Sequence, residues 1–102
     1  MTDAPLPLVS VGIPVYNAAN TLERSVRSIL DQTYQNIEVV FFDNGSTDTT
    51  EQVCRRLARA DNRIRYIRSP SNQGTSFSFS QAFLNTTGEY FMWSAADDLR
   101  DP

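Results

Sequence analysis

Short apolar runs alternate with amphipathic stretches along this chain. The first run, residues 8–14 (LVSVGIP), is rich in β-branched residues and closes on a proline that cannot donate to a central ladder. Residues 20–32 then place Leu22, Val26, Ile29 and Leu30 on one helical face. Asn20 is the expected cap, with Glu23 three residues later and an exposed Glu23–Arg27 pair at i,i+4. Residues 37–43 (IEVVFFD) are a near-continuous apolar run, the pattern of an interior parallel strand. After the turn signal Asn44-Gly45-Ser46, Asp48 and Glu51 open a second helix to about Ala60 that buries Val53, Cys54 and Leu57. Residues 64–69 (IRYIRS) predict a third strand, which Arg65 and Arg68 place at a sheet edge. A loop at 70–74 leads to a third helix over 76–86, stacking Phe79 on Phe83 and terminated by Gly88. Residues 89–95 (EYFMWSA) predict a fourth strand, apolar on both faces and therefore interior.

The order β-α-β-α-β-α-β, with right-handed crossovers, specifies an α/β fold: a three-layer α-β-α parallel sheet, Rossmann-like, with strand order 3-2-1-4. Residues 8–102 form one domain behind a short tail, residues 1–7. Ligands of such sheets bind at the carboxyl ends of the strands. The segments to inspect are therefore residues 14–17, 43–46, 70–74 and 95–98, all on one rim.

Composition narrows the chemistry. All nine basic residues are Arg; there is no Lys and no His. That excludes a histidine triad, a His–Cys zinc site, a lysine Schiff base and a phosphate-loop lysine. A net charge of −3 argues against a nucleic-acid partner. The longest apolar run, residues 39–42, is too short to span a bilayer, and residues 1–7 lack the pattern of a signal peptide. The single cysteine, Cys54, is expected in the core and points to a reducing compartment. The expected location is cytoplasmic, compatible with a peripheral place at the inner membrane face. The arginines of the second helix and third strand read as a solvated surface, and Tyr90 and Trp93 as strand residues packed beneath helices.

After the first strand the chain reads IPVYNAAN, so the glycine-rich turn of a dinucleotide site is absent. A nucleotide diphosphate on this rim would be neutralised by Arg, by helix N-termini or by a divalent metal. Asp97 and Asp98 follow the fourth strand directly and supply hard oxygen ligands suited to Mg²⁺ or Mn²⁺. The bland reading of the same pair is a cap or a solvated turn. Asp43 and Asn44 likewise either begin a turn or accept the imide N–H of a uracil-like base.

Together these phrases carry a resemblance. VSVGIPVYNAANTLERSVRSILDQTYQNIEVVFFDNGSTDTT, then NQGTS, then TGEYFMWSAADDL resemble the nucleotide-binding half of the family-two glycosyltransferases, over residues 9–99 and in the right order. The resemblance implies the GT-A fold and inverting transfer of a sugar from a nucleotide-diphosphate sugar, UDP- or dTDP-linked, to a hydroxyl of a glycan, lipid or protein acceptor, as in cell-surface polysaccharide biosynthesis. It implies that Pro14, Tyr16 and Asn17 cradle base and ribose, and that Asp43 and Asn44 stand at the acids after strand two. Gly74 matches the glycine before helix three. Asp97 matches the contact to ribose or donor sugar, and Asp98 the metal ligand of a DXD-like motif. The catalytic base is expected beyond Pro102, so the 102-residue stretch alone is expected to be inactive.

The departures are Asn44 where many relatives have a second acid, Ala95 where many have another, and Phe79-Ser80 where many have Arg-Asn. They motivate an alternative: a non-catalytic GT-A-like module, with a degraded nucleotide pocket, used for assembly or regulation. An interior-type fourth strand with nothing after it to pair with also predicts self-association through residues 89–95.

Overall fold

A computed structural model of the chain describes residues 7–32 and 34–94. Strands and helices alternate as β1 (Val9–Val15), α1 (Leu22–Leu30), β2 (Ile37–Asp43), α2 (Thr50–Ala60), β3 (Ile64–Arg68), α3 (Thr75–Leu84) and β4 (Tyr90–Trp93). The four strands are parallel in the order β3-β2-β1-β4, the order expected from the sequence. No helix among the described residues is long and apolar enough to cross a membrane.

Strand alternation sorts the two faces. Val11, Ile13 and Val15 of β1 and Ile37, Val39 and Phe41 of β2 pack with Leu22, Val26 and Ile29 of α1 and with Cys54 and Leu57 of α2 in one core. Val53 is only half-buried at its border. The opposite face belongs to α3: Phe77 meets Phe42 edge-on at 5.8 Å, and a Cβ on Gly12 would fall 2.9 Å from the Phe91 ring of β4. Gly12 leaves room for the Phe91 ring to lie over β1 beneath α3.

Four local expectations give way. Thr21, not Asn20, is the N-cap of α1, and it makes no side-chain cap bond. Glu23 does not reach back to close a capping box, because Arg56 of α2 and then Arg27 hold its carboxylate, both at 2.6 Å, and draw its pKa down to about 2. Phe79 and Phe83 do not stack on each other. The β4 rings lie between them: Phe79 packs on Trp93 and Phe83 on Phe91, each at 4.8 Å. The α3 helix ends at Asn85, and Gly88 serves β4 instead: its N–H donates to Ser10 Oγ at 2.8 Å, where a Cβ would come within 2.5 Å of that oxygen. Finally, β4 is four residues long and sits at the sheet edge, with Tyr90 61% and Trp93 40% exposed. Its apolar composition reads as interior, yet among the described residues it pairs with β1 alone, the edge place that the expected order 3-2-1-4 gives it; what differs from the expectation is its length and its exposure.

At the end of the sheet opposite the rim, Glu38 of β2 is buried and clamps the α3–β4 connection. Its carboxylate accepts from Ser10 Oγ (2.6 Å), from the Thr87 hydroxyl (3.0 Å) and backbone N–H, and from Arg65 (3.3 Å). Burial alone would push this carboxyl up; the Ser10, Thr87 and Arg65 hydrogen bonds outweigh it, and the net shift is downward. A lowered folded-state value stabilises the protein above the unfolded-state value, and that contribution is lost as pH falls through the folded one. Glu38→Ala should cost about 2 kcal/mol in urea unfolding at neutral pH, since it strands several donors to a charged acceptor. The difference between variant and parent should shrink in acid.

Candidate functional site

The ends of β1, β2 and β3 bring Tyr16, Asn17, Asp43, Asn44 and Gly74 to one rim, with Pro14 half-buried in β1 beside Phe42. Asp97, Asp98 and Ala95 lie outside the described residues. Among the described residues no group of three metal-ligating side chains assembles.

Asp43 is fully buried, and both its oxygens are engaged. Oδ1 accepts the Ser46 N–H at 2.8 Å, and Oδ2 accepts the Tyr66 hydroxyl at 2.6 Å. Arg68, its register partner on β3, stands 3.8 Å from Oδ2 and donates to the Ser46 carbonyl at 2.9 Å. Glu51 of α2 lies 3.7 Å from the same guanidinium. Burial, followed by the bond to Asp43, pushes the Tyr66 phenol well above its ordinary value, so it stays a neutral donor.

Asn17 clasps the loop ahead of α2. It occupies the left-handed region at φ 49°, which Asn tolerates better than most residues. Its N–H donates to Ser46 Oγ at 2.9 Å, and its Oδ1 accepts the Thr47 N–H at 2.8 Å and the Asp48 N–H at 3.3 Å. Next to it the Ala18 N–H donates to the buried Thr50 hydroxyl at 2.8 Å. The expected capping of α2 takes this form: Asp48 Oδ1 accepts the Thr50 N–H at 2.9 Å, while Thr49, the N-cap itself, makes no side-chain cap bond.

Asn44, 4% exposed, turns to the loop before α3. Its Nδ2 donates to Asn72 Oδ1 at 3.0 Å and to the Gly74 carbonyl at 3.1 Å, and its Oδ1 accepts the Gln73 N–H at 2.9 Å. Gly45, at φ 81°, packs so tightly on this loop that a Cβ would sit 2.6 Å from the Ser71 carbonyl carbon. Gly74, at φ 95°, has open space where a Cβ would be.

The rim is therefore three loops locked to one another through Asn17, Asp43 and Asn44. Tyr16, 47% exposed, offers its ring above them. Its amphipathic body suits the face of a base, and the open backbone at Gly74 suits the close approach of a polar ligand. Tyr66, Arg68 and Asn72 are the rim residues that sequence reasoning passed over. The usable signal was Tyr-x-Arg on the strand beside the one that ends in Asp43.

The comparisons follow the same lines. The family model described as Glycosyl transferase family 2 matches residues 10–102. A glycosyltransferase of Rickettsia bellii is 42% identical over 96 residues, which are 94% of this chain and 14% of that protein. The mannosyltransferase PcManGT from Pyrobaculum calidifontis, solved in complex with GDP-Man and Mn²⁺, is 31% identical with a TM-score of 0.83, covering 91% of this chain and 28% of that one. S. aureus TarS 1-349, solved in complex with UDP, shares the fold at 26% identity and a TM-score of 0.80, covering 89% and 28%. The chain thus spans well under two thirds of the length of each.

Tyr66→Phe removes the phenol that satisfies Asp43 Oδ2 and leaves a buried carboxylate oxygen short of a donor. It should destabilise the chain by about 1–3 kcal/mol in chemical unfolding. NMR shifts should move at Ser46 and Asn17 and stay put around Glu38.

Proposed function

The chain belongs to glycosyl transferase family 2, and we propose that it forms the donor-binding half of an inverting glycosyltransferase acting on a nucleotide-diphosphate sugar. The observation that carries this reading is the rim itself. Three loops interlocked by polar side chains, Asp43 and Asn44 buried and Asn17 at the surface, present an exposed tyrosine ring and an open glycine backbone at the carboxyl end of a 3-2-1-4 sheet. In this reading Tyr16 lies against the base, Pro14 shapes the floor beneath it, and Asn17, Asp43 and Asn44 hold the loops that surround it. Gly74 gives the ligand room. The GDP-Man in the PcManGT complex supports a sugar nucleotide as the ligand class.

Asp97 and Asp98 complete the proposal from the segment after β4. Their carboxylates are the donor set that Mg²⁺ or Mn²⁺ prefers, and the Mn²⁺ of the PcManGT complex is consistent with such an ion. A divalent ion bound there would offset the charge of the diphosphate. Asp97 is assigned to the ribose or donor sugar and Asp98 to the metal. The attacking hydroxyl is the acceptor's own, and the rim residues named above are assigned to the donor and not to the base that deprotonates it. The acceptor class (glycan, lipid or protein), a cytoplasmic setting at the inner membrane face, and a place in surface polysaccharide assembly belong to the same proposal.

The test is an NMR titration of the chain with UDP, dTDP, GDP and CDP, with and without Mg²⁺. Metal-dependent shifts at Tyr16, Gly74 and residues 43–46 are expected with at least one nucleotide, and Asp98→Ala should abolish the metal dependence. A folded sample that responds to none of the four favours the non-catalytic alternative. The bare edge of β4 and the exposed rings beside it should also make the isolated chain self-associate. Light scattering at high concentration would refute that expectation by returning a monomer.

A further inference from the structure

The loop that connects β3 to α3 is held in an unusual way. Residues 70–74 (PSNQG) are exposed apart from their contact with the β2–α2 turn, and residues 71–74 carry no apolar side chain to anchor them. What fixes residues 72–74 is the side chain of Asn44, which is buried at the end of β2 and makes three hydrogen bonds to three consecutive loop residues. The Gly74 N–H folds back on Asn72 Oδ1 at 2.8 Å, so one acceptor oxygen serves both the loop and Asn44. The Gly74 carbonyl accepts from Asn44 and also from the Ser78 N–H at 3.2 Å, which ties the same amide to the first turn of α3.

Both Asn44 hydrogens point at acceptors, a side-chain carbonyl and a backbone carbonyl. A carboxylate has no hydrogen to offer either and would set a negative charge against both. The turn requires an amide. The charged groups on the neighbouring strand ends are engaged elsewhere: Asp43 with Tyr66 and Ser46, and Arg68 with the Ser46 carbonyl, Asp43 and Glu51.

We infer that Asn44 is a positioning residue: its amide sets the 72–74 loop, and through it the open Gly74 backbone and the start of α3, in the arrangement that receives the donor nucleotide. This deepens the donor-binding reading and rests on it. Asn44 acts through the loop, with both hydrogens already committed inside the protein.

The experiment compares the chain with Asn44→Asp and Asn72→Ala, reading amide exchange at Gly74 and Ser78 and the affinity for whichever nucleotide binds the parent. At neutral pH, Asn44→Asp should speed exchange at both amides and weaken nucleotide binding roughly tenfold, the scale of one or two lost hydrogen bonds. As pH falls and the introduced carboxyl protonates, it regains one donor, so both effects should partly reverse in the variant alone. Asn72→Ala removes the same contact from the loop side without touching β2. It should reproduce the losses without the pH reversal, and it keeps the test open if Asn44→Asp does not fold. Nucleotide affinity lost while the Gly74 and Ser78 amides stay unchanged would overturn the inference and make Asn44 a direct ligand contact. Unchanged affinity with a loosened loop would overturn it equally. A parent that binds no nucleotide, in a folded sample, would overturn the donor-binding premise and with it the role assigned to Asn44, whereas the pH-reversible loosening of the loop would still register separately.

Discussion

Every residue of β2 is buried, so each polar group it carries must be satisfied from within the protein. It carries three at its ends: Glu38 near the start, Asp43 at the close, and Asn44 immediately after. Each is answered at least in part by elements distant in sequence. Glu38 draws in Ser10, Thr87 and Arg65; Asp43 draws in Ser46, Tyr66 and the neighbouring Arg68; Asn44 draws in Asn72, Gln73 and Gly74. Desolvation makes these bonds obligatory, and the obligation stitches the connections at both ends of the sheet to its centre. The apolar core fixes which face each helix covers. The buried polar groups fix where the loops go.

That division explains the character of the rim. A loop held only by water-exposed contacts opens at little cost, whereas one that satisfies a buried carboxylate or amide cannot leave without stranding it. Asp43 and Asn44 spend their hydrogen-bonding capacity in the buried interior, while Asn17 makes its loop contacts at the surface and Tyr16 is the large apolar ring exposed beside them. Such a rim is pre-organised: its shape exists before a ligand arrives, so little ordering is required of the protein on binding. The polar residues that a motif suggests as contacts thereby gain a second explanation, as the frame on which the contacts are hung.

The elements were legible because their signals are local. Apolar spacing in α1 and the unbroken run IEVVFFD need no partner to be recognised, and alternation of strand with helix restricts the topology to a few choices. The family resemblance carried the rim positions. What stayed hidden depends on pairing. Nothing near Gly88 says that it must admit Ser10 Oγ, 78 residues away, and nothing near Glu23 says that Arg56 of α2 will claim it. Tyr66 looked like an ordinary strand residue until the β2–β3 register put it diagonally across from Asp43. Asn44 read as a substitute for an acid because its sequence position names a role, while its hydrogens reveal another.

The two faces of the sheet differ in how they are closed, and the difference bears on β4. On the α1–α2 side, branched aliphatic residues interlock in one dry cluster. On the α3 side the seal beside β1 is a chain of rings, Phe83 to Phe91 to Trp93 to Phe79, each meeting the next edge-on between 4.5 and 4.8 Å. Edge-to-face pairs hold one another well with one flank exposed, because their attraction adds to burial. This is how α3 can sit over a strand that, among the described residues, pairs on one side only. The rings of Phe79, Phe83 and Trp93 remain 38–50% exposed, which leaves aromatic surface along the edge that is unpaired among the described residues. Apolar surface of that kind beside open backbone donors and acceptors favours contact with further polypeptide over contact with water. Among the described residues the rim loops are held by buried polar groups at the end of β2 together with Asn17, whereas the flank at β4 is closed by half-exposed rings.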